Sequence, residues 1–103
     1  MNLSEQNLAA GEFFSNCMKL LNRKGRDYTT DGDAFKNTLT IAEEVGISPE
    51  KVIWIYLRKH LSAIQRYILS ESLESEPIEG RLQDAVNYLA LLHVLIKCKK
   101  PKP

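Results

Sequence analysis

Three groups of polar residues in this chain have the types and spacing to do chemistry. The first is the run Lys24-Gly25-Arg26-Asp27-Tyr28 followed by Asp31-Gly32-Asp33. A helix end, a glycine and interleaved cations and acids could grip a phosphate or, through the aspartates, a hydrated Mg²⁺; the same composition also makes a solvated turn. The second group is Arg58-Lys59-His60 with Ser62 and Arg66. Lys59, Ser62 and Arg66 recur at i, i+3 and i+7 on one face of a helix, while His60 points elsewhere, near the side of Tyr56 and Tyr67. Such a stripe is a wet face or an anion-holding one, and His60 reads first as a satisfied buried histidine. The third group runs from Glu76 through Glu79, Arg81, Asp84 and Asn87 to Tyr88. Arg81, Asp84 and Tyr88 share one face, and Asp84 and Asn87 fall within an otherwise apolar half. A carboxylate and an amide buried there need partners, which a neighbouring helix or a ligand can supply.

Several chemistries lack their signatures. The chain has no glycine-rich loop of the P-loop or dinucleotide type and no His-Glu-x-x-His. A Ser-His-Asp triad has no support beyond the presence of those residue types, because a triad is a geometry. Cys17 and Cys98 lie far apart in the sequence without a Cys or His at metal-ligand spacing, and read as reduced thiols on apolar helix faces.

Four helices are expected to position these groups. Ser4 is a good N-cap for a helix carrying Ala10, Phe13, Phe14, Cys17, Leu20 and Leu21, with Gly25 at its C′ position. A second helix, about Ala34 to Val45, is capped by Asp33, turns Phe35, Leu39, Ile41 and Ala42 inward, and closes at Gly46. Ser48-Pro49-Glu50 then opens a third: a hydroxyl cap, a proline at the first helical position and an acid against the positive helix end. Its first half is apolar nearly all round, as in a central helix or one that meets a partner. Pro77 starts a fourth, to about Lys97, apolar at Leu82, Ala85, Val86, Leu89, Leu92 and Leu95. No segment alternates for long enough to make a strand. The expected fold is therefore all-α, a four-helix, bundle-like single domain over residues 1–97 with a basic tail at 98–103.

Composition narrows the function classes. The 103 residues are 44% hydrophobic and 26% charged, with 14 basic and 13 acidic side chains and a formal net charge of +1. That balance removes the simplest electrostatic case for a nucleic-acid or membrane-surface protein. The N-terminus lacks the basic and apolar regions of a secretory signal, and Leu89 to Ile96 is too short to span a bilayer, so a cytoplasmic location is expected. The fourth helix carries more apolar surface than so small a core can cover, which predicts a homo-oligomer.

The run from Ser75 to Leu92, Ser-Glu-Pro-Ile-Glu-Gly-Arg leading to Asp84 and the pair Asn87-Tyr88, resembles the C-terminal helix of small all-α proteins encoded by bacterial viruses and prophages. Lys59-His60-x-x-Ala63-Ile64, the earlier Lys24-x-x-Asp27-Tyr28 and Phe35-x-Asn37 occur in the same order. More distantly, the chain is similar to the nucleotide-modification-associated domain and to MazG-like nucleotide pyrophosphohydrolases. The resemblance spans roughly Lys24 to Ile96 and implies a link to phosphorylated nucleotides. On that basis Lys24, Arg26, Asp27, Tyr28, Lys59, His60, Arg81 and Asn87 are the candidate ligand-binding residues. If the protein is an enzyme, the resemblance makes Glu76, Glu79 and Asp84 the candidate catalytic residues and Mg²⁺ ligands. The sequence departs from the enzymes in having Gly80 where an acid is usual, and adjacent Glu43-Glu44 in place of Glu-x-x-Glu. Adjacent helical residues diverge by about 100° and do not chelate one ion easily. The leading expectation is a phage-type protein that binds or sequesters a phosphorylated nucleotide. The alternatives are a Mg²⁺-dependent nucleotide pyrophosphohydrolase and a helical module acting on a host protein.

Overall fold

A computed structural model describes residues 1–27, 34–70 and 77–99, with the side chains of all of these except 23–27, 34, 35 and 99. It is all-α: four helices, α1 (Leu3–Asp27), α2 (Ala34–Val45), α3 (Pro49–Ser70) and α4 (Ile78–Lys99), with no strand among the described residues. No described helix is long and apolar enough to cross a membrane.

The ends of the helices follow local chemistry, with two differences from expectation. Asn2, not Ser4, caps α1: its Oδ1 accepts the Glu5 N–H at 2.8 Å, and the ladder begins with Gln6 N–H to Asn2 O at 3.0 Å. Asparagine and serine are nearly equal caps. Capping from Asn2 lets Leu3 and Ser4 join the helix, so the longer form gains backbone bonds at no loss of cap. At the other end α1 passes through Gly25 and ends at Asp27. A helical glycine costs only about 1 kcal/mol relative to alanine and does not compel a stop.

The remaining boundaries fall as the sequence predicts. Gly46 closes α2 with φ 83°, and Gly46 and Ile47 both donate to Ala42 O, at 2.9 and 3.1 Å. This left-handed residue is where glycine is favoured, because a Cβ would strain it. Ser48 caps α3, its Oγ accepting Lys51 N–H at 3.3 Å. Pro77 stands just before α4 and accepts the Arg81 N–H at 3.4 Å. The proposed cap Asp33 lies outside the described residues.

The core lies where α1, α3 and α4 converge. Ile53, fully buried, packs with Leu91 and Leu95, and Leu21, Tyr88 and Leu92 close around them. The α3–α4 pair forms the largest seam and runs antiparallel, Ile53 lying level with Leu91 and His60 level with Arg81 and Asp84. Against α4, α1 runs in the parallel sense: Cys17 meets Asn87, and four residues on Leu21 meets the Leu91–Leu95 cluster. Packed mainly against α3 and also touching α1, α2 contributes Thr38 and Ala42 to the buried set.

Expected core positions are partly displaced. Leu39, predicted inward, is exposed, and Thr38 takes the buried place one residue earlier, in register with Ala42 four residues on. On α4, Ala85 and Leu95 are buried but Leu82 and Leu89 are not. Two partners explain this: α4 turns one stripe to α3 and a second to α1, and the outward third keeps its apolar residues. Phe35 has its side chain outside the described set.

Candidate functional site

His60 is the centre of the polar arrangement. It sits on the α3 face that also carries Ile53, Tyr56, Leu57 and Ala63, so helical spacing directs it into the α4 seam, and it is buried. Three residues of α4 at i, i+3 and i+7 surround it. Arg81 Nη1 lies 3.2 Å from His60 Nδ1, Asp84 Oδ2 lies 3.9 Å from Nε2, and the Tyr88 ring stacks on the imidazole with centroids 5.5 Å apart and planes 25° apart. Tyr56, one turn before His60, stacks on the same Tyr88 at 5.6 Å and 16°.

Donor and acceptor roles follow from arginine having no acceptor. Arg81 can only donate, so Nδ1 carries the lone pair and the proton of neutral His60 sits on Nε2, on the Asp84 side. At 3.9 Å the Asp84 contact is too long for a hydrogen bond and is electrostatic in kind. The Arg81 guanidinium is itself buried, so its charge is held where polar contacts are worth more than in water.

Asn87 faces the other way. Its Nδ2 donates to the Cys17 carbonyl at 3.0 Å, tying α4 to α1 with both residues buried. Asp84 stands between the two seams, and its charge reaches Cys17 as well as His60. Burial pushes the Cys17 thiol above its ordinary value, and the negative charges of Asp84 and then Glu79 push it further in the same direction. Cys98 is exposed, so the two thiols occupy different environments.

The candidate residues therefore separate. His60, Arg81 and Asp84 come together, and Asn87 lies next to them on the α1 side. Lys59 is exposed, about 100° round α3 from His60, on a face shared with the exposed Ser62 and Arg66. Glu79 is exposed and about 140° round α4 from Asp84, so these two acids do not by themselves form a metal site. Among the described residues no group of three or more His, Cys, Asp or Glu gathers as metal ligands would. The side chains of Lys24, Arg26 and Asp27, and all of Tyr28 and Glu76, lie outside the described residues.

Two participants, Tyr56 and Tyr88, were placed beside His60 and on the Arg81–Asp84 face by spacing but were not among the candidate site residues. Tyr56 stands i−4 from His60, and Tyr88 completes the Arg81–Asp84 face, so each helix presents its ring to the same place. The role of the Cys17 carbonyl had no signal, since every helical residue carries one. No known protein family, no curated protein and no solved structure matches this chain.

Proposed function

We propose that this protein binds a phosphorylated nucleotide beside the α3–α4 seam, with Arg81 engaging phosphate and the Tyr56–Tyr88 pair offering rings to the base. The observation that supports it is the gathering of a buried guanidinium, a buried histidine, a carboxylate and two stacked tyrosines at one point of a very small core. Apolar side chains of similar volume would pack such a seam with less desolvation cost. A guanidinium has five donors in a fork that suits phosphate oxygens. Aromatic faces accept any base by stacking. The resemblance to small phage proteins and to MazG-like enzymes points to the same ligand class. Sequestration fits this reading, since holding a nucleotide needs no reacting group.

A thermal-shift and calorimetric series tests it. A nucleoside triphosphate should raise the melting temperature well above any effect of its nucleoside, because the phosphates carry the recognition. Tyr56→Ala, at a half-buried position, should weaken that binding while the fold persists. Equal responses to nucleoside and triphosphate, or none to either, would overturn the assignment. Running each arm with Mg²⁺ and with chelator separates binding from hydrolysis: product formed only with Mg²⁺ would make the protein a pyrophosphohydrolase.

A further inference from the structure

The N-terminal half of α1 carries an apolar stripe that outruns its partner. Leu3, Asn7, Ala10, Phe14, Cys17 and Leu21 follow one another at alternating spacings of four and three, the a/d pattern of helix-on-helix packing. The last two are covered: Cys17 is buried and Leu21 joins the core. The first four are exposed, Leu3 by 69% and Phe14 by 60%, and of residues 1–16 only Phe13 is even half-buried. Part of the reason is geometric. In parallel alignment Cys17 is level with Asn87, and α4 begins only nine residues earlier at Ile78, while α1 extends fourteen residues back to Leu3, so Leu3 and Asn7 lie beyond the start of α4. Ala10 and Phe14 lie level with α4 and are exposed all the same.

We propose that this stripe is covered by the same stripe of a second copy, the two α1 helices pairing antiparallel across a two-fold axis. Three observations favour another copy over an unrelated partner. First, the chain exposes 7825 Å², whereas a compact monomer of this mass exposes roughly 5,900 Å². The excess, roughly 1,900 Å² over the whole chain, leaves room for the approximately 800 Å² per partner that a stable interface needs. Second, the stripe is self-complementary about its midpoint. An axis between Asn7 and Ala10 sets Leu3 of each copy against Phe14 of the partner subunit, bulky ends flanking a centre that is narrow at Ala10. Gly11 beside it has nothing within 4 Å and leaves room for close approach. Third, the stripe continues one that already packs on α4, so dimerisation extends an existing seam. Asn7, polar within an apolar row, fixes the register in the manner of a single polar a/d residue. An isologous contact of this kind closes on itself and does not propagate.

Light scattering on the full chain at high micromolar concentration tests the inference. The expected mass is twice the 11.7 kDa of one chain, with a melting temperature that rises with protein concentration. Phe14→Glu should give the monomer mass with helix content retained by circular dichroism. Leu3→Glu is the second variant, because an acid in the first turn of a helix favours its fold and leaves the core untouched. Leu89→Glu, on the exposed outer face of α4 that the sequence alone marks as the contact between copies, should leave the mass at two chains and so tells the two faces apart. A larger assembly that both α1 variants reduce to monomer also supports this face as the contact between copies. A wild-type monomer, or an assembly whose mass neither α1 variant changes, overturns it.

Discussion

The α3–α4 seam and the first four turns of α1 are both regular, amphipathic helix, yet they have opposite fates. In the seam, about one side chain per helical turn is buried, and a histidine and an arginine are buried among them. In α1 from Leu3 to Asn16, Leu3, Leu8 and Phe14 face water. Apolar periodicity makes a stripe; a second element at the right height decides whether the stripe becomes core. The seam shows the converse as well. Once two helices are committed to each other, polar groups such as His60 and Arg81 can be enclosed provided each finds a partner.

The contrast is sharpest for deletion of a side chain. Ile53→Ala truncates the largest fully buried side chain of the core and should cost about 3 kcal/mol, a large share of the stability of so small a domain. Leu8→Ala, on exposed α1 and off its apolar stripe, should stay within about 0.5 kcal/mol. Urea unfolding midpoints measure both, and similar shifts for the two would erase the distinction between the regions.

The next effect belongs to the polar part of the seam. His60→Leu keeps the volume but removes the Nδ1 acceptor facing Arg81, and should cost about 2 kcal/mol, as befits a hydrogen bond to a charged donor. His60→Gln, which can restore an acceptor, should recover part of it. If the leucine variant is as stable as wild type, the cluster contributes nothing to folding.

A smaller loss is expected where α1 meets α4. Asn87→Ala deletes the 3.0 Å bond to the Cys17 carbonyl and should cost about 1 kcal/mol. Hydrogen exchange should report this mainly as faster opening of α1 around Cys17, while the Ile53 region of α3 keeps its protection. Uniform acceleration across both helices would mean that α1 and the seam open as one unit.

The smallest effect is one of pH. The folded protein holds the Cys17 thiol above its ordinary value of 9.0, by burial first and by Asp84 and Glu79 second. A raised folded value means the unfolded chain releases this proton more readily. Stability from this source is complete below pH 9.0 and is lost as pH rises through the folded value. Melting curves of wild type and Cys17→Ala should therefore converge above that pH. Curves that stay parallel would show that the thiol does not titrate differently in the two states.

Much of this was legible from the residues. Ser48-Pro49-Glu50 and Gly46 mark their boundaries by chemistry that acts within four residues, and both stand where expected. Asn2 displaced Ser4 as the cap because both qualify locally and the longer helix wins. Arg81, Asp84 and Tyr88 were placed on one face by spacing alone, and they do converge. The choice between Leu39 and Thr38 on α2 was not legible, because it turns on a rotation of the helix that only α3 imposes.

By itself, then, the sequence determined four helices, most of their boundaries and which side chains share a face, since these depend on interactions that span one turn of backbone. Tertiary structure alone decided that His60 is the residue those three α4 side chains enclose, that Asn87 serves α1 while Lys59 stays in solvent, and that the stripe on α1 is covered only at Cys17 and Leu21. Each of these depends on the direction and height at which one rigid helix meets another, and the packing of the whole sets those quantities where local spacing cannot.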